Sequence, residues 1–133
     1  MATIESKKVS APSSAEKVFT FLSNTDNIYA LLPQSKVTDW KSDGTTCSFK
    51  VQGSYNIGLR LKESTPHSMI VFESVEGSPF AFTLQVNMNE SNGQTEVQQV
   101  CEASLNPFLE MIVKGPLKSL FDYMADKLVT EVK

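Results

Sequence analysis

The last third of the chain constrains the fold most. An alternating run over 95–105 stops at Asn106-Pro107, and a helical pattern over 108–132 follows. Leu109, Ile112, Val113, Leu117, Leu120, Phe121, Met124 and Leu128 recur at three- and four-residue steps, which places them on one helical face. About 25 residues at ~1.5 Å each make a rod of roughly 37 Å, longer than most helices in small domains. Such a rod needs a broad apolar surface to lie on, and alternating strands upstream supply one. The expected arrangement is a sheet gripping a helix, with a cavity between them.

The rest of the chain reads as a series of short elements. Residues 3–9 alternate as a first strand, and Ala11-Pro12 halts it. Ser13 and Glu16 have the spacing of a capping box, in which hydroxyl and carboxylate satisfy each other's terminal amides. A short helix follows, with Ala15, Val18, Phe19 and Leu22 on one side, and 27–32 looks like a second one stopped before Pro33. Alternating runs then cover 36–41, 46–52, 56–63, 68–75, 79–89 and 95–105, with Asp43-Gly44 and Asn92-Gly93 as tight-turn signals. In the cleanest of these, Phe80, Phe82, Leu84, Val86 and Met88 share one face. The fold class is therefore α+β: an antiparallel sheet of about seven strands, in the order β-α-α-β6-α, with one face covered by the C-terminal helix.

Size and composition set the remaining bounds. A chain of 133 residues makes one domain, 1–133, that buries a core without covalent staples. The net charge of −3, with no stripe of Lys and Arg, argues against a nucleic-acid partner. No window approaches the ~18 apolar residues of a spanning helix, and 1–10 lack the apolar segment of a signal peptide. A cytoplasmic protein without integral membrane association is expected. Cys47 and Cys101 sit in strand-like stretches that point them inward, as buried thiols acting like small hydrophobes. With one histidine and no paired ligand spacing, no metal and no cofactor is expected.

The element order resembles the helix-grip fold of the SRPBCC superfamily, which includes START lipid-transfer domains, the birch-pollen allergen family and polyketide cyclases. The opening Val9-Ser10-Ala11-Pro12-Ser13-Ser14-Ala15-Glu16-Lys17-Val18-Phe19-Thr20-Phe21-Leu22 is similar to that superfamily's entry: a strand, a proline, then a capped helix rich in aromatics. Ala103-Ser104-Leu105-Asn106-Pro107-Phe108 resembles its passage from last strand to long helix. The resemblance spans essentially the whole chain and rests on pattern. It implies an apolar cavity between sheet and helix, in a superfamily where binding, transport and catalysis all occur. The turn at 42–45 lacks the glycine-rich loop of the plant allergen branch.

Candidate chemistry is sparse. Gln99 alternates onto the same face as Cys101, where a buried amide must be hydrogen-bonded and could orient a ligand carbonyl or hydroxyl. His67, the single histidine, follows Thr65-Pro66 at a turn without a carboxylate at a telling spacing. Arg60, between Leu59 and Leu61, alternates outward; Tyr55 lies beside Gly53, and Tyr123 at the edge of the helical stripe. Glu110, Asp122 and Asp126 fall on the long helix's polar side, so no carboxylate pair points inward for acid-base work. Gly115-Pro116 is expected to kink or break the long helix, as a hinge or as a fit to a curved sheet.

The leading expectation is a module that binds an apolar small molecule, with no catalytic residue assigned. Its cavity is expected to be lined by Phe49, Leu59, Leu61, Phe72, Phe82, Leu84, Gln99, Leu117, Leu120 and Met124. The alternatives are a cyclase- or dehydratase-like enzyme using the same cavity, and a protein-interaction module whose core is closed by its own side chains.

Overall fold

A computed structural model describes residues 2–51, 55–75 and 78–132. Its sheet has eight antiparallel strands: β1 (Ala2–Glu5), β2 (Val9–Ala11), β3 (Val37–Ser42), β4 (Thr46–Val51), β5 (Tyr55–Thr65), β6 (Met69–Ser74), β7 (Phe82–Ser91) and β8 (Gln94–Ala103). The spatial order is β1-β8-β7-β6-β5-β4-β3, and β2 also pairs with β8. Helix α1 (Ala15–Leu22) follows β2, and the long helix α2 (Pro107–Glu131) closes the chain. This is a curved α+β sheet folded against one long helix, as the sequence pattern predicts.

Several element boundaries differ from the sequence pattern, each for a local reason. The strand expected over 3–9 is two strands, because the chain steps off the ladder at Ser6. There the Ser6 amide donates to the Gln99 carbonyl at 2.9 Å and the Gln99 amide donates back to Ser6 Oγ at 3.0 Å. The helix cap is Ser14, not Ser13: Ser14 Oγ accepts the Lys17 amide at 3.2 Å. Ser13 is taken up in a turn, its amide bonded to the Ala11 carbonyl and its own carbonyl accepting Thr95 Oγ1 at 2.8 Å. Glu90, from β7, completes the helix start by accepting the Ala15 amide at 2.7 Å. The helix expected over 27–32 is a 3-10 turn over Thr25–Leu31, started by Asn24 Oδ1 accepting the Asp26 amide at 3.0 Å.

The two predicted tight turns form. Asn92 and Gly93 take φ of 56° and 78°, the double positive φ that a two-residue hairpin requires and that asparagine and glycine tolerate. At the other turn the Thr45 and Thr46 amides bond Asp43 Oδ1 at 3.0 and 2.8 Å and hold the Asp43 carboxyl below its ordinary value. Along β7, Phe82, Leu84, Val86 and Met88 are all buried, with Ala103, Cys101, Gln99 and Val97 opposite them on β8.

Helix α2 starts at Pro107, one residue before the expected 108, because proline is suited to the first helical turn. Asn106 Oδ1 caps it by accepting the Leu109 amide at 2.8 Å. The helix is continuous through Gly115-Pro116. Its buried face begins only at Val113 and continues through Leu117, Leu120, Phe121, Met124 and Leu128. Ile112, expected on that face, is 51% exposed, and Phe108 and Met111 are exposed too. The second half of α2 is held by polar ties. The Lys7 amide donates to Asp122 Oδ1 at 2.7 Å, Lys7 pairs with Asp126 at 2.7 Å, and Lys118 Nζ donates to the Glu5 carbonyl at 3.1 Å. Among the described residues, no side chain of 107–116 makes a hydrogen bond to the sheet.

Candidate functional site

Between the concave face of the sheet and α2 lie two small voids, one of about 10 Å3 and one of about 20 Å3. The first is walled by Phe49 on β4, Phe82 on β7, and Leu117 and Leu120 on α2; the second includes Phe72 on β6 and Gln99 on β8. Leu59, Leu84 and Met124 line both, so they form the partition. Alternation along the strands and the three- and four-residue steps of α2 converge on this place. Leu61 lines neither void: it is half-buried, at the point where the register of β5 against β6 shifts.

Sequence reasoning missed other wall residues. Ile57, Phe80, Cys101 and Phe121 border the first void, while Leu22, Ile28 and Leu31 close one end of the second. The last three come from α1 and the 3-10 turn, so these short elements plug the grip. Their apolar spacing was visible, but the end of the sheet they cover was not. Trp40 stacks on Phe49 at 6.3 Å between ring centroids, and Tyr29 lies tilted against Trp40 at 5.1 Å.

Every residue lining the two voids is buried, and Gln99 is the single polar side chain among them. Its Nε2 donates to the Phe121 carbonyl at 2.9 Å. Its Oε1 is buried and has no hydrogen-bond partner among the described residues. Burial pushes the Cys47 and Cys101 thiols up to about 12, so neither is a thiolate at neutral pH.

The other candidates lie away from the voids. His67 is exposed at a turn with φ of 65°, its ring edge-on to Phe19 at 5.7 Å. Arg60 points outward and pairs with Glu73 at 2.9 Å. Tyr123 is 40% exposed. The Tyr55 side chain and Gly53 lie outside the described residues. Among the described residues, no three His, Cys, Asp or Glu side chains gather as a metal site, and no helix is long and apolar enough to cross a membrane.

No family model and no curated protein matches the sequence. Solved structures do match. The chain is similar to the protein XoxI from Bacillus cereus, with 12% identity and a TM-score of 0.77 over 99% of this chain and 96% of that one. It is similar to norcoclaurine synthase from Thalictrum flavum, with 14% identity and a TM-score of 0.71 over 97% and 84%. A START superfamily protein from Mycobacterium smegmatis matches at 14% identity and a TM-score of 0.69 over 98% and 96%. At these identities the likeness is one of fold: a curved antiparallel sheet gripping a long C-terminal helix.

Proposed function

We propose that this protein binds a hydrophobic small molecule, lipid-like or polyketide-like, between the sheet and α2. The observation that carries the reading is the pair of apolar voids that share Leu59, Leu84 and Met124 in their walls. Voids of about 10 and 20 Å3 hold no such ligand, since pockets for drug-sized molecules measure roughly 300–1,000 Å3. Binding therefore requires the partition to move. Met124 is suited to that, because an unbranched thioether re-packs at low cost. The first third of α2, without side-chain hydrogen bonds to the sheet among the described residues and followed by Gly115-Pro116, is the segment that swings outward to admit the guest.

The small volumes also favour a second reading, an interaction module with a closed core. Native mass spectrometry of the gently purified protein, repeated after denaturation, separates the two. The binding reading predicts a one-to-one small-molecule adduct in the native spectrum alone. If no adduct is present, and none forms after incubation with medium-chain alcohols, ketones and aromatic hydrocarbons, the closed-core reading replaces it.

A further inference from the structure

Gln99 holds an asymmetry with chemical consequences. Its side chain is 6% exposed and lines the larger void, and its two polar atoms are in different states. Nε2 is committed to the Phe121 carbonyl at 2.9 Å. That bond also decides which end of the amide is which, since the reverse placement would set two carbonyl oxygens against each other. The atom left without any partner is therefore an acceptor, while the second Nε2 proton sits on a nitrogen that already holds one bond. Oε1 is buried and unpartnered, and a buried polar atom without a partner costs about 1–3 kcal/mol.

Water is a poor occupant of this position. A void of about 20 Å3 has room for one molecule, but a buried water needs roughly two to four polar partners. Gln99 is the only polar side chain on the wall. A water there would find a single polar side chain, that of Gln99, and face leucine, phenylalanine and methionine with the rest. A ligand hydroxyl does better: it gives its single proton to Oε1, and its carbon skeleton meets the apolar walls.

The geometry points to an apolar molecule carrying a hydroxyl group, which donates its proton to Gln99 Oε1; this rests on the small-molecule-binding reading above. Ketones, esters and carboxylates present only lone pairs to a site whose free atom is itself a lone-pair donor. The interior thus selects alcohols over the corresponding carbonyl compounds. Ser13 Oγ, the other buried atom without a partner, lines neither void and takes no part.

The test uses a pair of probes that share a skeleton, undecan-2-ol and undecan-2-one, titrated calorimetrically into the full chain and into Gln99→Met. One neutral hydrogen bond predicts that the alcohol binds roughly tenfold more tightly to the wild type, and that the preference disappears in the variant. Equal affinity for the two probes, or a preference that survives in Gln99→Met, overturns the inference and leaves the apolar-binding reading standing. Binding of neither probe to the wild type overturns both. If Gln99→Met does not fold, the methyl ether of undecan-2-ol takes its place against the wild type. The ether must bind as weakly as the ketone; affinity equal to the alcohol's overturns the inference.

Discussion

The side-chain amide of Gln99 donates to the backbone carbonyl of Phe121 across 2.9 Å, and so joins the last strand to the middle of the long helix. This bond ties α2 to the sheet, and Gln99 Oε1 is left without a partner among the described residues. A side chain chosen for stability alone would be apolar here, as its neighbours on the same face, Val97 and Cys101, are.

Gln99→Met therefore changes unfolding free energy by less than about 1 kcal/mol. The lost hydrogen bond, worth about 0.5–1.5 kcal/mol, is offset by removal of a buried unpaired oxygen. Urea denaturation of the two proteins measures the difference. A loss above about 3 kcal/mol would assign Gln99 a purely structural role.

Met124 stands between the two voids. Met124→Ala is expected to cost about 2–5 kcal/mol, the range for truncating a buried methionine, and to merge the voids into one cavity. The variant should then take up benzene more tightly than the wild type. Thermal unfolding with and without benzene reads the result as a larger ligand-dependent rise in Tm for the variant.

The helix crosses Gly115-Pro116 at an exposed position, where a glycine Cβ would meet nothing within 4 Å. Proline at 116 has no N–H to give the carbonyl of the exposed Ile112. Replacing both by alanine restores that bond and is expected to stabilise the protein by about 2 kcal/mol. If this segment opens the interior, the same double variant takes up ligand several-fold more slowly in stopped-flow measurements. Unchanged uptake would place the entrance elsewhere.

Both thiols are shifted from 9.0 up to about 12 by burial, which sets an alkaline limit on stability. The unfolded chain loses its thiol protons near pH 9, whereas the folded chain holds them to about pH 12. Their contribution is therefore fully present below pH ~9 and is lost as pH rises through that window. Each thiol should remove on the order of 1 kcal/mol per pH unit. Comparing the pH dependence of unfolding in the wild type and in Cys47→Ala/Cys101→Ala isolates this slope; identical slopes would contradict it.

The strands, their turns and the long helix were legible in the sequence because burial imposes a period. Phe82, Leu84, Val86 and Met88 alternate onto one face and are all buried. What the period does not carry is where a partner surface ends. Ile112 keeps the helical step of Val113 and Leu117, yet it overhangs the sheet and is exposed. Leu61 alternates correctly but sits at a register shift, which depends on how two distant strands pair. Gln99 was legible as an inward-facing amide. That only one of its ends is satisfied depended on a carbonyl 22 residues away on α2.

The central claim is that the space beneath α2 accepts a guest, and methyl resonances report on it directly. Titrating undecan-2-ol into protein carrying labelled Ile, Leu, Val and Met methyl groups should move the signals of Leu59, Leu84, Leu117, Leu120 and Met124, saturating at one equivalent. The exposed methyls of Met111 and Ile112 should shift less than these interior ones. Shifts confined to Met111 and Ile112, with the interior methyls unmoved, would contradict the account and mark a closed core with an outward-facing apolar surface.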